Sequence, residues 1–376
     1  MTIESIARSL ARSVPVSAPA LKAGYRASER MLSTMAGTWP SLIKARTEKI
    51  TIAITAHCNL RCKGCKYGRD FMPGAQLPLE TVRGLLEDAA AAKVPAVRLY
   101  GGEPLLHPNV VEMVQIANDL DVGCYMTTNA LILDKKIAAL HAAGLRKVTI
   151  GYYGQEGAFD DYVQRPGRFE RLVESLTNTR AMFGPEELDI QFNFLLSRRS
   201  ATIEAVDEMV AFADRFQGNV HIDVVHYSLP YFDEGEDREL QFRPEDKPAV
   251  DAVIDHLLRL KMARPKLLTE SATAIAAFAD WALKQEGMRI PCDARKLLWV
   301  GADGSVMLCY VTFPLGNLHE KRLSEILYKE PHHEAARDAF QLNCPNCHCE
   351  AASRVEKHAP SFRKYSKEAA ERLMAR

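Results

Sequence analysis

The sequence lacks the features that mark several common classes of protein. Across its 376 residues no apolar run approaches the roughly 18 residues that cross a bilayer, which excludes an integral membrane protein. The 48 basic and 48 acidic side chains cancel, so nothing in the net charge favours a nucleic-acid partner. We find no internal repeat and no low-complexity tract, and 47% of the residues are hydrophobic, which excludes a disordered chain.

A disulfide framework is also disfavoured. The nine cysteines are an odd number, and a chain of this size builds its own core without covalent cross-links. The composition therefore favours a reducing, cytoplasmic location in which thiols bind metals.

The charges are unevenly distributed along the chain. Residues 1–48 and 353–376 each carry a net charge of +4, and the middle carries −8. The first of these segments is rich in serine, alanine and arginine. We expect a helical extension that packs on the following domain, because Glu4 and Glu29 argue against a transit peptide.

From residue 48 onward, strand and helix patterns alternate. Six runs rich in β-branched residues are typical of strands, and helical periodicity follows them. Such alternation predicts βαβ units and a parallel sheet, and six units fall short of the eight that close a barrel. We predict an α/β fold, a partial (β/α)6 barrel with a small C-terminal domain of a β-hairpin and helices. The predicted segments are an N-terminal helical extension (1–47), the barrel (48–262), a connecting helix (263–287), a cluster-binding domain (288–352) and a basic C-terminal helix (353–376).

Three cysteines follow the first predicted strand with the spacing Cys-x3-Cys-x2-Cys. They are Cys58, Cys62 and Cys65, at the carboxyl end of a parallel strand, where such folds carry their chemistry. Three thiolates on a short loop can each hold one iron of a cubane cluster and leave the fourth iron open. The alternative is a structural zinc knot completed by His57 or another group, although the spacing is not the usual paired zinc pattern.

A glycine-rich turn follows the second predicted strand, with the residues Gly101, Gly102, Glu103 and Pro104. Together with the cysteine loop AHCNLRCKGC, this turn resembles the radical S-adenosylmethionine (SAM) superfamily over roughly residues 48–260. The resemblance implies a 4Fe-4S cluster on the three cysteines and SAM chelated at the open iron, with the turn supporting the SAM ammonium. Glycines let a backbone approach a ligand closely, and a carboxylate accepts charge-assisted bonds from an ammonium.

Two further positions are assigned to SAM binding by the resemblance alone. Asn129 ends the third predicted strand, after Thr127 and Thr128, where the family often places polar groups near SAM. Arg165 matches an arginine of the family that pairs with the SAM carboxylate. The alternative for Arg165 is an ordinary surface ion pair with Asp160 or Asp161.

The sequence departs from the family pattern at two places. The residue before the third cysteine is usually aromatic in the family, but here it is Gly64, with Tyr67 nearby as a possible substitute. The fourth strand ends in Gly-Tyr-Tyr-Gly in place of Ser-x-Asp-Gly. Tyr152 or Tyr153 is then a candidate to face the substrate, and packing in the core is the alternative.

Five of the nine cysteines lie in the C-terminal segment. The turn at residues 302–305 predicts a β-hairpin, which Cys292 and Cys309 flank, and Cys344 and Cys347 form a Cys-x2-Cys knuckle. Four thiolates from a hairpin and a knuckle can hold either a tetrahedral zinc or a 4Fe-4S cluster.

The motifs of this segment resemble the twitch domain, a shorter relative of the SPASM domain. They are the Gly-x4-Cys hairpin, the segment GNL-x4-L-x-E-I and the Cys-x2-Cys knuckle. The resemblance implies a second, auxiliary 4Fe-4S cluster on Cys292, Cys309, Cys344 and Cys347. Cys349 is a possible replacement for Cys344 or Cys347.

The resemblance implies an enzyme that reductively cleaves SAM to a 5′-deoxyadenosyl radical. The radical would abstract a substrate hydrogen, and the product would be an oxidised or cross-linked small molecule or peptide. An external electron donor of the flavodoxin or ferredoxin type is implied as a partner.

Two alternatives remain open. A ribosomal-peptide maturase would need a separate leader-binding partner, because the 48 residues before the barrel are too few for an embedded leader-binding domain. A non-catalytic iron–sulfur electron carrier or a zinc-stabilised binding module is a different class. The glycine-rich turn and the partial barrel argue against that class, since a carrier needs neither.

Overall fold

Nine strands form one sheet in the computed structural model, which describes residues 18–235, 238–310 and 312–375, with side chains from residue 23 onward. They are β1 (Lys49–Thr55), β2 (Ala96–Gly101), β3 (Gly123–Thr128), β4 (Lys147–Tyr152), β5 (Asp189–Leu196), β6 (Asn219–Val224), β7 (Leu297–Val300), β8 (Ser305–Met307) and β9 (Pro314–Asn317). The order across the sheet is β6-β5-β4-β3-β2-β1-β7-β8-β9. The strands from β1 to β6 pair in parallel, which confirms the predicted α/β class.

Helices alternate with the barrel strands, and further helices precede β1 and form much of the C-terminal part of the chain. Within the described residues they are α1 (Ala18–Ala36), α2 (Leu79–Ala91), α3 (Val110–Asp119), α4 (Leu133–Ala142), α5 (Glu156–Val163), α6 (Arg168–Met182), α7 (Ile203–Arg215), α8 (Lys247–Ala263), α9 (Ala272–Lys284), α10 (Glu330–Gln341), α11 (Ala351–Lys357) and α12 (Ala359–Met374). None of these helices is long and apolar enough to cross a membrane.

The local sequence explains why these elements form. Six of the seven residues of β1 are buried, as expected for a strand of a parallel sheet that is covered on both faces. α7 begins at Thr202, whose side chain accepts a hydrogen bond from the backbone N–H of Ala205 at 3.1 Å. α9 begins in the same way at Ser271, which caps the N–H of Ala274 at 3.1 Å. Such caps satisfy backbone donors that have no partner inside the helix.

The three tail strands extend the barrel sheet, which the sequence pattern did not predict. β7 pairs in parallel with β1, and β8 and β9 then add in antiparallel order. The hairpin predicted at residues 302–305 is the β7–β8 connection. The strand that precedes the first cysteine loop and the strands of the tail therefore belong to one continuous hydrogen-bonded sheet.

The helix α1 packs on the C-terminal part of the chain. The buried carboxylate of Glu29 accepts hydrogen bonds from Arg295 and Lys296, each at 2.7 Å. The guanidinium of Arg30 lies 4.2 Å from the ring centre of Phe362 on α12. The first 17 residues of the predicted N-terminal extension lie outside the described residues.

Candidate active site and auxiliary metal centre

The three cysteines of the first motif line one cavity of about 380 Å³ at the carboxyl ends of the barrel strands. Neighbouring segments fix the backbone of their loop. The N–H groups of Arg61 and Lys63 donate to the carbonyls at the end of α5, at 3.2 and 2.9 Å, and the carbonyl of Gly64 accepts from Asp233 at 2.7 Å. The loop is thus held between α5 and the segment that follows β6.

The electrostatics of these thiols suit a metal cluster. Burial raises the pKa of Cys58 to about 12 and raises the pKa of Cys62 and Cys65 as well. The charges of Cys58 and Cys65 further raise the pKa of Cys62. Three thiolates in this environment need a compensating positive charge, which iron supplies by direct coordination. The residues therefore fit a cluster with three cysteine ligands.

The glycine-rich turn presses closely against the start of the cysteine loop. A Cβ at Gly101 would lie 2.2 Å from the carbonyl oxygen of Thr55, and one at Gly102 would lie 2.3 Å from that of His57. Gly101 also has a φ of +133°, in the region that favours glycine. The N–H groups of Gly102 and Glu103 donate to these two carbonyls at 2.8 Å. Both glycines line the cavity.

That the glycine-rich turn supports the SAM ammonium stays a prediction; within the turn, the side chain of Glu103 faces the protein interior. It accepts hydrogen bonds from the Thr128 hydroxyl at 2.7 Å, the Asn129 N–H at 2.7 Å and the Leu105 N–H at 3.0 Å. Glu103 is fully buried, and neither it nor Pro104 lines the cavity. The carboxylate instead joins the ends of β2 and β3.

This arrangement predicts a pH-dependent contribution to stability. Burial raises the pKa of Glu103 from the usual 4.5 to about 7, despite the three hydrogen bonds. Between these values the folded protein keeps a proton that the unfolded chain releases, so the free energy of unfolding falls as the pH rises. Through this titration the free energy of unfolding can fall by at most about 3 kcal/mol.

Glu103→Gln removes this titration. We expect the difference in free energy of unfolding between wild type and variant to change between about pH 5 and about pH 8, with the wild type losing more as the pH rises. Denaturant unfolding at both pH values measures it. Parallel pH profiles for the two proteins would contradict the prediction.

Of the two remaining residues assigned to SAM binding, the structure brings one to the cavity. Asn129 lines it, and its side chain donates to Asn59 in the cysteine loop at 2.7 Å. Arg165 does not line it: the side chain is exposed on the turn after α5, with only its backbone N–H bonded to the carbonyl of Asp160. The two carboxylates of the alternative ion pair bind elsewhere. Asp160 accepts from the N–H groups at the start of α6, and Asp161 pairs with Lys63 and Arg199.

The aromatic residue missing at Gly64 is replaced by one from a distant segment. A Cβ at Gly64 would lie 2.7 Å from the ring of Phe232, which follows β6 and lines the cavity. Tyr67 also lines the cavity, but it packs edge-on against Phe71, with ring centres 5.1 Å apart. Phe232 therefore occupies the space beside the third cysteine.

Tyr152, which ends β4, and Tyr153, which follows it, have different environments. Tyr152 is buried and packs on Phe212, with ring centres 5.0 Å apart. Tyr153 lines the cavity and stacks on Tyr162 at 4.1 Å. Tyr153 is therefore the tyrosine that a substrate can reach.

Sequence reasoning missed several residues of the cavity wall. Arg98 on β2 donates to the hydroxyl of Tyr310 from the tail and lies 4.9 Å from the ring centre of Tyr100. A charged residue inside an otherwise apolar strand was the available signal for Arg98. His226 and His348 also line the cavity, and burial lowers the pKa of His226 to about 4. No local pattern links these two histidines.

All five tail cysteines line a second, smaller cavity between the hairpin, α10 and the knuckle. Burial raises the pKa of Cys292 to about 12, and the charges of Cys347 and Cys309 add to it. The thiol of Cys349 donates a hydrogen bond to Cys347, which lowers the pKa of Cys347 to about 7. The donor set is rich in thiols and converges, so it fits the predicted auxiliary cluster.

Cys349 has a position that the other tail cysteines do not share. It lines the second cavity and also the large cavity that contains the first cysteine motif. The auxiliary site therefore borders the candidate active site directly, with the knuckle as the common wall.

Two family models match the chain. The model described as the Radical SAM superfamily matches residues 52–224. The model described as SPASM, an iron–sulfur cluster-binding domain, matches residues 286–350. The second match favours an iron–sulfur cluster over zinc at the tail cysteines.

Curated relatives align with part of the chain. The GTP 3′,8-cyclase of Chlorobaculum tepidum is 32% identical over 152 residues, 40% of this chain and 45% of that protein. The AdoMet-dependent heme synthase of Methanosarcina barkeri is 28% identical over 168 residues, 43% of this chain and 47% of that protein. The chain thus spans less than half the length of either relative.

Solved structures resemble the whole fold. SuiB of Streptococcus suis, solved with S-adenosylmethionine, superposes with a TM-score of 0.62 and 15% identity, covering 89% of this chain and 77% of SuiB. SuiB has also been solved bound to its precursor peptide SuiA. At this identity the likeness concerns the fold.

Proposed function

This chain belongs to the radical SAM superfamily and carries a SPASM iron–sulfur domain, and on that premise we propose that it cleaves SAM reductively and oxidises a substrate through a radical. When bound, the cluster on Cys58, Cys62 and Cys65 supplies the electron that breaks a carbon–sulfur bond of SAM, and the 5′-deoxyadenosyl group then takes a hydrogen atom from the substrate. The observation that carries the proposal is the convergence of three half-buried thiols and the Gly101–Gly102 backbone on one cavity.

The protein's own residues position the reactants and exclude water. Gly101 and Gly102 bring a bare backbone to the cavity wall, where SAM can approach closely. Tyr153, Tyr162 and Phe232 line the same cavity with aromatic surface, which limits the water that would quench a radical. Asn129 links the wall to the cysteine loop and fixes their relative position.

The cavity volume bounds the substrate. About 380 Å³ lies near the lower end of the roughly 300–1,000 Å³ of ligand sites, and SAM occupies part of it. We therefore propose that the reacting part of the substrate is small: a small molecule, or a single residue of a peptide. The peptide alternative draws support from the fold shared with SuiB, which was solved with a precursor peptide.

The SPASM domain implies an auxiliary 4Fe-4S cluster, and we propose that it accepts an electron from the substrate radical. The position of Cys349 on both cavities supports this role. A net oxidation, such as a dehydrogenation or a new cross-link, follows from that electron transfer. The electron for SAM cleavage is proposed to come from a flavodoxin or ferredoxin.

Anaerobic reconstitution tests the proposal. The protein is loaded with iron and sulfide, desalted, and incubated with SAM and dithionite. We expect about eight irons per chain, as two four-iron clusters require, and release of 5′-deoxyadenosine detected by mass spectrometry. One or two tightly bound zincs with no SAM cleavage would instead identify a zinc-stabilised binding module. Eight irons without cleavage would identify an electron carrier.

A further inference from the structure

Three potential metal ligands meet on the wall of the large cavity, apart from the cysteine motifs. They are Asp223 on β6, His226 just after β6, and His348 in the knuckle, and their ligand atoms all lie within 4.8 Å of one another. All three line the cavity. The barrel contributes two of the groups and the tail contributes the third.

Hydrogen bonding fixes which nitrogen of His348 is free. Its Nε2 lies 2.7 Å from the carbonyl oxygen of Val224, which can only accept, so Nε2 carries the hydrogen. The Nδ1 atom therefore keeps its lone pair. It is buried without a hydrogen-bond partner, in a side chain that is 4% exposed.

The second histidine presents the same feature. The Nδ1 atom of His226 is also buried without a partner, and its ring lies 4.0 Å from that of His348. An unmet buried polar atom costs about 1–3 kcal/mol, so two neighbouring unmet nitrogens indicate that something binds them. Asp223 adds a negative charge, with Oδ1 at 3.8 Å from His226 Nε2.

The distances are compatible with a metal ion after a small adjustment. Ligand atoms of a tetrahedral zinc bonded at about 2.0–2.1 Å lie roughly 3.3 Å apart. The three ligand atoms lie within 4.8 Å of one another, and side-chain rotation closes the remaining gap. The bond from His348 to the Val224 carbonyl is the kind of contact that orients a metal-bound histidine.

We propose that Asp223, His226 and His348 form a mononuclear zinc site. Two imidazoles and one carboxylate suit this metal. Three protein ligands leave coordination positions open, and these positions face the cavity. An oxygen or nitrogen donor of a substrate, such as a carboxylate, hydroxyl or amine, can bind there. Metal binding itself does not depend on the SAM chemistry proposed above.

The test uses the reconstituted protein with both clusters. It is incubated with a slight excess of Zn²⁺ and desalted, and zinc and iron are then measured by elemental analysis. We expect about one zinc per chain in addition to an unchanged iron content. Asp223→Asn and His226→Asn should each lower zinc occupancy at least tenfold at unchanged iron. His256→Asn is the matched control, because His256 lies on α8 and pairs with Asp207 outside the cavity.

X-ray absorption at the zinc edge of the wild type separates this site from the cysteines. We expect nitrogen and oxygen neighbours only. No zinc beyond background in the wild type, zinc retained in both variants, or sulfur neighbours at the zinc would each overturn the proposal. His348 is left intact because it lies between Cys347 and Cys349.

Discussion

Replacing Cys58, Cys62 and Cys65 together with alanine will abolish SAM cleavage and leave about four irons per chain. The three thiols line one cavity and are the thiols placed to hold its cluster, whereas the tail cysteines line their own cavity. A four-iron auxiliary cluster on the tail should therefore form independently. The loss of 5′-deoxyadenosine should be at least a thousandfold, because no other described group supplies the electron at that position.

Iron analysis and mass spectrometry of the cleavage assay measure these two results. Cys124→Ala is the matched control, since Cys124 lies on β3 and lines neither cavity. The Cys124→Ala variant should keep about eight irons per chain and cleave SAM as fully as the wild type. Residual cleavage in the triple variant, or a loss of all iron, would contradict the assignment of the first motif.

Replacing Cys292 and Cys309 together with alanine will remove the auxiliary cluster and destabilise the tail, while SAM cleavage without substrate persists. These cysteines come from the segment before β7 and from the end of the hairpin, and the cluster would tie both to the knuckle. Metal binding of this kind contributes directly to folding free energy. We expect about four irons per chain to remain. We also expect the midpoint of thermal unfolding to fall by several degrees, because a loss of about 1 kcal/mol in the free energy of unfolding lowers it by about 2–4 °C or less in a chain of this size.

Calorimetry measures the loss of stability, and the cleavage assay measures whether SAM cleavage persists. The loop proposed to hold the first cluster is kept in place by α5 and the segment after β6, so SAM cleavage should survive the loss of the tail cluster. Retention of eight irons in the double variant would show that other groups hold the auxiliary cluster. Loss of cleavage in a folded protein with four irons would show that SAM cleavage depends on the tail cluster.

Repeating patterns in the sequence were sufficient to predict the barrel. Strands rich in β-branched residues and amphipathic helices differ in the period at which hydrophobic residues recur. This period can be read from the sequence without knowledge of the tertiary contacts. The helix α5 was missed because it is short and carries Gly157, Asp160 and Asp161, which have weak helix propensity. The pairing of β7 with β1 was also missed, because a strand's own sequence does not specify its neighbour.

Within the candidate site, the sequence predicts the contiguous motifs but not the contacts between distant segments. The cysteine loop and the glycine-rich turn are each contiguous, so their spacing is visible in the sequence. Phe232 replaces an aromatic residue expected at Gly64 through a contact that only folding creates. His348 and Val224 are 124 positions apart, and no local sequence pattern predicts that they are in contact. The interior position of Glu103 likewise depends on the end of β3, because Thr128 and the next residue, Asn129, supply two of its three donors.

The pairing of β7 with β1 has a consequence for how the two parts of the chain can exist. β1 is hydrogen-bonded on both sides, to β2 and to β7. Without the tail, β1 would become an exposed edge strand, with apolar side chains such as Ile50 and Ile52 beside unpaired backbone groups. Exposed edges of this kind recruit other chains into aggregates. The tail therefore protects the barrel from self-association, and we expect a barrel trimmed of it to be less soluble than the full chain.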